Sequence, residues 1–363
     1  KITFNKILIM SDFSVNVALL KEICETPGAP GFEQPIREVV LREVTPLVDE
    51  VKVDNMGNVY AIKKGKNNPD GKRVMLAAHM DEISFIVTHI DDNGFIKMNP
   101  LGGFDPKTLT AQRVKIHGKR DIIGVMGGKP IHLMSAEERG KKLSISDYFI
   151  DTGLTASEVK ENVTIGDPIT RERDLIEMGE CVNCKSIDNR VSVFIQIEML
   201  RELGDVPYDV YAVFTVQEEV GVRGAQAATI AVKPDFAICI DTTIAFDVPG
   251  AKTEDRVTEL GKGTAIKIMD SRTICDYRMV RFMKATADKN EITWQPEILR
   301  AGGTDTSAMQ RMSAGGAIAG AVSIPTRNIH QVIEMAHKLD IRASIDLLKA
   351  CLIDINTYDW SFK

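Results

Sequence analysis

The sequence lacks any apolar run long enough to cross a membrane. No stretch approaches the roughly 18 to 20 uninterrupted apolar residues that a spanning helix requires, although hydrophobic residues make up 44% of the 363 residues. With 26% charged residues, the composition is typical of a globular protein and excludes a disordered or fibrous chain. We therefore expect a soluble protein with no membrane partner, built as two domains or as one large domain with an insertion.

Cysteine is scarce, and neither charge is in large excess. Six cysteines in so long a chain do not make a disulfide scaffold, and Cys24, Cys239 and Cys351 lie inside apolar runs as small hydrophobic residues do. We expect a cytoplasmic location. The formal net charge is -6, from 45 Lys and Arg against 51 Asp and Glu, with no charged tail, which argues against a nucleic acid partner.

The first ten residues carry no organised signal peptide. The segment Lys1 to Met10 is too short and too poorly patterned for one. Met10 is a candidate for the natural start, in which case the first nine residues are an extension.

Apolar periodicity predicts two opening helices and then a sheet. The helices are predicted at Asn16 to Glu25 and Glu33 to Val44, with Pro35 tolerated in a first turn. A hairpin is predicted around residues 54–57, and Arg73 to Ala78 has the pattern of a buried strand.

Residues 83–174 differ in texture from the rest of the chain. Short strand-like pieces alternate there with glycines, which predicts a small β-barrel-like inserted domain. Residues 1–82 and 175–363 are then the two parts of one α/β domain. In the second part helices and strands alternate, which predicts a largely parallel sheet flanked by helices; the predicted elements are Asn189 to Leu203, Asp209 to Val216, Arg223 to Ile230, Asp235 to Ile240, Thr264 to Met269, Ala317 to Ile324 and Ile341 to Ile355.

Several chemically useful side chains follow predicted strands or precede a helix. Ligands of open α/β sheets gather beyond the carboxyl ends of the strands, so we expect these side chains to converge. Imidazoles and carboxylates without a thiolate suit a catalytic divalent metal such as Zn, Co or Mn. Taken singly, an Asp in such a place is about as often a helix N-cap as a ligand, and a pair of glutamates is usually solvated. The set consists of His79, Asp81, Asp188, Glu218, Glu219, Asp241 and His330.

The order of these residues resembles that of the tetrahedral aminopeptidases, which include deblocking, glutamyl and leucyl aminopeptidases and are sometimes labelled cellulase-M-like. The resemblance spans nearly the whole chain. The motifs that carry it are His79-Met80-Asp81, Ser186-Ile187-Asp188-Asn189-Arg190, Glu218-Glu219-Val220-Gly221-Val222-Arg223-Gly224, Ile240-Asp241, Gly302-Gly303-Thr304-Asp305 and Pro325-Thr326-Arg327-Asn328-Ile329-His330.

The resemblance implies a zinc-peptidase-like fold with two metal ions in each subunit, with zinc as the first expectation and cobalt or manganese as alternatives. It implies that Asp188 bridges the two ions. His79 and Asp241 would complete one site, and Glu219 and His330 the other.

The resemblance also implies roles for residues that are not ligands. Glu218 would be the general base, and Asp81 would orient the imidazole of His79. The segment that contains Gly303, Thr304 and Asp305 would lie near the substrate, although an ordinary turn is an equally good interpretation of its paired glycines.

The implied activity is removal of the N-terminal residue from small peptides. In the family that the sequence resembles, the inserted domain mediates dimer contacts, and dimers assemble into a dodecamer, so we expect a homo-oligomer. The sequence departs from the usual pattern at Asn328, where a tyrosine is common, and at Gln331, where a serine is common. Both changes affect the expected pocket rather than the ligands.

Three alternative functions remain open. A deacylase or a carboxypeptidase would use the same metal core. A cellulase-like glycosidase would need two metal-free carboxylates that flank the bond, whereas the carboxylates here are better used as ligands. A non-catalytic binding or scaffold protein would be expected to lose a ligand or the base, yet these side chains are all present.

Other candidates have ordinary interpretations. The pair Cys181 and Cys184 has Cys-x-x-Cys spacing without a second pair or a redox context. His337 is expected on a helix, with Glu334 one turn earlier as a neighbour that contacts the site only indirectly. Three further histidines are interpreted as surface or packing residues: His89, His117 and His132.

Overall fold

The computed structural model describes residues 14–362, so the segment Lys1 to Met10 and its candidate start lie outside the described residues. Within this range the chain forms an eleven-stranded mixed sheet and a closed barrel of six strands. The predicted fold class, an α/β sheet flanked by helices and interrupted by a small β-barrel, is confirmed.

The helices and strands of the described residues are labelled in chain order. The helices are α1 (Val17–Glu25), α2 (Gln34–Val44), α3 (Ala136–Gly140), α4 (Ala156–Asn162), α5 (Ile187–Glu202), α6 (Arg223–Val232), α7 (Tyr277–Lys289), α8 (Thr306–Arg311) and α9 (Lys338–Asp354). The strands are β1 (Glu50–Val53), β2 (Val59–Lys63), β3 (Arg73–His79), β4 (Ser84–Ile90), β5 (Ile96–Leu101), β6 (Arg113–His117), β7 (Asp121–Gly127), β8 (Phe149–Asp151), β9 (Pro168–Arg171), β10 (Ile176–Met178), β11 (Cys181–Cys184), β12 (Asp209–Thr215), β13 (Phe236–Ile244), β14 (Thr264–Met269), β15 (Trp294–Ile298), β16 (Ile318–Arg327) and β17 (Glu334–His337).

The two opening helices are confirmed and follow local sequence signals. Helix α1 begins after Asn16, whose side-chain oxygen accepts the backbone N–H of Leu19 at 3.2 Å, as a good N-cap does. Its apolar face buries Leu20 and Ile23 in the main core. Helix α2 has Pro35 in its first turn, where the missing N–H costs no hydrogen bond.

The centre of the large sheet is parallel and its flanks are antiparallel. Strands β12, β3, β13 and β16 run parallel to their neighbours in that order. Strands β2, β17 and β14 pair antiparallel with this central group. The prediction of a largely parallel sheet is therefore wrong. The links between β1 and β2 and between β16 and β17 are too short for the crossover that parallel pairing requires.

Strand β17 corrects the expectation for His337. Residues Glu334 to His337 pair with β11 and β16 as a strand, so His337 lies at a strand end rather than on a helix. Its Nδ1 accepts the N–H of Leu339 at 3.1 Å and caps α9. The helical periodicity of the following residues begins only after this strand.

Strand β13 is longer than its sequence indicates. It pairs with β16 beyond Asp241, as far as Ile244 opposite Thr326, so Asp241 lies within the strand rather than at its end. The sequence does not indicate this continuation, because Thr242 and Thr243 are polar and interrupt the apolar run that is typical of a buried strand.

The inserted barrel has its own core. Its strands follow the order β4, β5, β8, β7, β6 and β9, and pairing of Phe85 with Ile169 joins the two ends. Along β7, Ile122 and Met126 are buried whereas Ile123 is exposed, which is the alternation of a barrel wall. Among the residues that the structure describes, no helix has the length and apolar character of a membrane span.

Gly224 lies where the first turn of α6 meets the segment after β12. A Cβ atom there would lie 2.4 Å from the carbonyl oxygen of Val216 and 2.7 Å from its nitrogen. We expect Gly224→Ala to lower the free energy of unfolding by about 1–3 kcal/mol, the usual cost of overpacking, measured by chemical denaturation. Gly204→Ala is the matched control, because its Cβ would have no neighbour within 4 Å. Equal stability of the two variants would contradict this account of the packing.

Candidate functional site

The side chains singled out in the sequence meet at one edge of the central parallel strands. His79 is the last residue of β3, Glu218 follows β12, and Asp241 lies in the outer half of β13. Asp188 stands in the first turn of α5, and His330 in the loop between β16 and β17. A cavity of about 770 Å³ opens beside them. The chain thus brings residues from five segments to one cavity wall.

Asp188 belongs to two groups of side chains that could each hold a metal ion. In one group, His79 Nε2 lies 3.5 Å from Asp188 Oδ1 and 3.8 Å from Asp241 Oδ1. In the other, His330 Nε2 lies 3.5 Å from both Asp188 Oδ2 and Glu219 Oε2. Each carboxylate oxygen of Asp188 therefore faces a different imidazole.

The geometry of these groups fits divalent cations better than direct hydrogen bonds. Hydrogen bonds between nitrogen and oxygen span about 2.7–3.2 Å, which is shorter than the distances between these imidazoles and carboxylates. A tetrahedral zinc site with bonds of about 2.0–2.2 Å separates neighbouring ligand atoms by about 3.3–3.6 Å. Imidazole and carboxylate donors without a thiolate also match catalytic rather than structural zinc sites.

The electrostatics of the cluster also favour a bound cation. Burial raises the pKa of Asp241 to about 8; His79 opposes this rise and Asp188 adds to it. Burial, with Asp188 nearby, raises the pKa of Glu219 well above its ordinary value. Burial alone would raise the pKa of Asp188 too, but the imidazoles of His330 and His79 outweigh it and hold that pKa low. Several acids thus compete for two imidazoles, and cations would relieve their repulsion.

The carboxylate of Asp81 contacts the backbone of the two glutamates. It accepts the N–H of Glu218 at 3.0 Å through Oδ1 and the N–H of Glu219 at 3.1 Å through Oδ2. The Nδ1 atom of His79 lies 3.1 Å from the carbonyl oxygen of Asp81 and 3.5 Å from its Oδ1. The contact between Asp81 and His79 was expected from the sequence. The two amide contacts were not, because backbone directions after a strand cannot be read from residue types.

Glu334 holds the backbone of two candidate ligands. Its Oε2 accepts the N–H of Asp188 at 2.9 Å, and its Oε1 accepts the N–H of His330 at 2.8 Å. The side chain is fully buried. Glu334 therefore links two segments that are more than a hundred residues apart in sequence, from β17 rather than from the helix expected for it.

Glu218 lies at the cavity wall beside the first group. Its Oε2 is 3.8 Å from His79 Nε2. Among the described residues, Glu218 borders the cavity next to the two ligand groups without belonging to either. Burial raises the pKa of Glu218 well above the ordinary carboxyl value; His79 opposes this rise and Asp241 adds to it.

The glycine-rich segment lies partly at the cavity. Gly303 and Thr304 line it, whereas Asp305 is buried and accepts the hydroxyl of Thr215 at 2.5 Å. Asn328 and Gln331 both line the cavity next to His330.

Basic side chains line the cavity away from the ligand groups. Lys267 on β14 is fully buried and lies 3.0 Å from Glu297 Oε1 and 3.3 Å from Asp270 Oδ2. Arg272 is exposed, and Arg327 forms a bidentate ion pair with Asp247. These residues were not predicted from the sequence, although a lysine inside the apolar run of β14 is a signal for Lys267.

The remaining candidates lie outside the site. Cys181 and Cys184 are unpaired residues of β11. His89 and His132 are exposed, and His117 contacts Asp121 and Thr170 within 2.9 Å.

Comparison with known sequences identifies one family. Residues 57–347 match the M42 glutamyl aminopeptidase family. A protein of Acetivibrio thermocellus assigned to the aminopeptidases is 39% identical over 331 residues, which cover 91% of this chain and 96% of that protein. The lysyl aminopeptidase of Pyrococcus furiosus is 36% identical over 356 residues, with coverage of 96% and 99%.

Solved structures agree with the sequence matches. An aminopeptidase of Desulfurococcus kamchatkensis has a TM-score of 0.89 and 34% identity, with coverage of 93% and 94%. The TET1 peptidase of Pyrococcus horikoshii, described as assembling into a tetrahedron or a large octahedral shell, has a TM-score of 0.83 and 31% identity, with coverage of 93% and 99%. A structure titled endoglucanase, from Thermotoga maritima, has a TM-score of 0.76 and 29% identity, with coverage of 92% and 96%. The chain therefore belongs to the M42 glutamyl aminopeptidase family and is a peptide hydrolase.

Proposed function

We propose that the protein is a metal-dependent aminopeptidase that removes the N-terminal residue from small peptides with the help of two divalent ions. The observation that carries the proposal is the sharing of Asp188 between two ligand groups, each completed by one imidazole and one further carboxylate. His79, Asp188 and Asp241 would hold one ion, and Asp188, Glu219 and His330 the other. Zinc suits this donor set best, and cobalt or manganese are the alternatives.

Bound ions of this kind polarise a scissile carbonyl and acidify water at neutral pH. The chain's own contribution is the handling of the proton. Glu218 takes the proton from the attacking water and returns it to the departing amine, because it is the cavity carboxylate left outside both ligand groups. Asp81 supports this role by fixing the amide of Glu218.

We further propose that residues 83–174 form dimer contacts, with residues 1–82 and 175–363 as the catalytic part, and that dimers assemble into a cytoplasmic dodecamer. The support is the assembly described for the similar TET1 peptidase and the exposed apolar residues of the barrel, such as Ile131 and Leu133. A closed shell would admit short peptides and exclude folded proteins.

A cellulase-like glycosidase is the less favoured alternative. Inverting and retaining glycosidases use two carboxyl groups that flank the bond, whereas three of the four acids at this cavity wall belong to the ligand groups. A deacylase or a carboxypeptidase would use the same metal core. Such an enzyme is distinguished from an aminopeptidase by which substrates the protein cleaves.

Replacement of Glu218 tests the general base. We expect Glu218→Gln to keep the wild-type metal content while kcat falls by at least about 100-fold, since general-base catalysis contributes about 10²–10⁴-fold. Hydrolysis of aminoacyl anilides and metal analysis by mass spectrometry measure the two quantities. Substantial turnover by the fully loaded variant would remove Glu218 from this role.

Metal stoichiometry tests the two groups. We expect two ions per wild-type chain and one in His330→Ala, because that variant removes a ligand from only one group. Loss of both ions to a chelator should abolish peptidase activity, and His89→Ala, which removes an exposed imidazole that belongs to neither group, should behave as wild type. A wild-type chain that saturates with a single ion would contradict the shared role of Asp188.

The charge of the cavity predicts a preference among substrates. Outside the ligand groups and Glu218, the charged residues described in its lining are Lys267, Arg272 and Arg327. Because Lys267 and Arg327 are paired with acids, the exposed Arg272 supplies the positive charge that a substrate would meet. We expect peptides with an acidic first residue to be favoured, and Arg272→Glu to lower kcat/KM for a glutamyl anilide about two- to fivefold relative to a leucyl anilide, as suits an exposed charge worth about 0.2–1 kcal/mol. Arg139→Glu, on α3, is the control, and an unchanged ratio in Arg272→Glu would contradict the expectation.

A further inference from the structure

The turn that follows β12 is held by carboxylates from two other segments. Three successive backbone N–H groups are donated: Gln217 to Glu33 Oε1 at 3.1 Å, Glu218 to Asp81 Oδ1 at 3.0 Å, and Glu219 to Asp81 Oδ2 at 3.1 Å. Gln217 has a φ of 55°, in the left-handed region that a non-glycine residue rarely adopts. The hydrogen bond from Gln217 to Glu33 helps to hold this residue in that conformation.

Glu33 is placed for this contact rather than for capping its own helix. It occupies the N-cap position of α2, yet its side chain makes no capping hydrogen bond there. Its Oε1 accepts the N–H of Gly31 at 2.8 Å as well as that of Gln217. The residue is 2% exposed, so its side chain points into the protein, where it meets the turn after β12.

The segment that carries Glu33 is fixed to the strand end that carries His79. The carbonyl oxygen of Gly28 accepts the N–H of Glu82 at 3.0 Å. The buried guanidinium of Arg190 donates to the carbonyl oxygens of Thr26 at 2.7 Å and Met80 at 2.6 Å. Glu33 thus acts from a rigid support, as a positioning group must.

Burial of this carboxylate is unfavourable by itself. Burial raises the pKa of Glu33 to about 7, and the nearby Asp81 carboxylate adds to the rise. The two amides that it accepts offset part of this cost. Because burial destabilises the charged form of Glu33, a role at the site explains this buried carboxylate better than packing does.

We propose that Glu33 is a positioning residue that fixes the Gln217 end of the turn and thereby aims the side chain of Glu218. The proposal rests on the proposed role of Glu218 as general base. Asp81 holds the amides of Glu218 and Glu219 but not that of Gln217. Without Glu33, Gln217 can leave its left-handed conformation and displace Glu218, while Asp81 continues to hold Glu219.

Three substitutions separate this role from a purely structural one. Glu33→Gln keeps an oxygen that can accept both amides, Glu33→Leu removes it, and Glu33→Asp keeps the charge but shortens the reach by one methylene. Glu38→Leu on α2 is the matched control, because Glu38 is exposed and its carboxylate accepts a hydrogen bond from Gln34 on the same helix. All four variants are made in the full chain, loaded with zinc and compared with Glu218→Gln.

We expect Glu33→Leu and Glu33→Asp to lower kcat about 10- to 100-fold, with KM within about twofold and two ions per chain, because the loss concerns the transition state rather than substrate binding. Glu33→Gln and Glu38→Leu should stay within about threefold of wild type. Hydrogen exchange measured by mass spectrometry should show faster exchange in the peptide containing Gln217 for Glu33→Leu and Glu33→Asp only.

Wild-type kcat in Glu33→Asp or Glu33→Leu, or equal losses in Glu33→Gln and Glu33→Leu, would overturn the proposal. Loss of metal from Glu33→Asp would do so too, since it would show a structural role. If Glu33→Leu does not fold, the comparison of Glu33→Asp with Glu33→Gln decides. An active, metal-loaded Glu218→Gln would instead remove Glu218 from the role of general base, whatever the Glu33 variants show.

Discussion

The site depends on one buried carboxylate that faces two imidazoles. Asp188 can do so because its backbone is held independently of its side chain: Glu334 accepts its N–H, and the next residue, Asn189, donates from its side chain to the carbonyl oxygen of Ile240. Ile240 directly precedes Asp241 in β13. Three segments remote in sequence are therefore joined at Asp188, and both ligand groups inherit their geometry from that junction.

The acids of the site fall into two kinds, distinguished by what their oxygens contact. Asp81 and Glu334 accept backbone N–H groups, so their charge is spent on holding the chain. Asp188 and Glu219 face imidazoles at distances too long for hydrogen bonds, so their oxygens stay available to a cation. This division separates the buried carboxylates: one set is satisfied by backbone N–H groups, and the other keeps oxygens that could bind a cation.

The meeting of these side chains was predictable from the sequence because the ends of parallel strands meet at one sheet edge, and His79, Glu218 and Glu219 each follow an apolar run. Their roles as ligands were implied by the family resemblance and stay a prediction. The fold class was predictable from the alternation of helices and strands along the sequence. The acids that support the ligands were harder to predict. The contact between Glu33 and Gln217 requires a positive φ and a close approach of two segments 184 residues apart, and neither leaves a local pattern. Glu334 lies on β17, which pairs antiparallel with β16 across a short link. The apolar sequence of β16 resembles that of a parallel strand and does not indicate this antiparallel pairing.

The inserted barrel also contributes to the wall of the site. The chain enters the barrel directly after Asp81 and Glu82 and returns to the large sheet at β10, two strands before Asp188, so the first of the two connections begins next to His79. Gly102 has a φ of 106°, and a Cβ on it would lie 2.5 Å from the Ile83 side chain and 3.4 Å from the Cβ of Glu219. A Cβ on the next residue, Gly103, would lie 3.5 Å from Nδ1 of His330. Because Gly102 and Gly103 bring the barrel this close to Glu219 and His330, a shift of the barrel against the sheet would move the wall beside His330, and the geometry of the site is tied to that of the insertion.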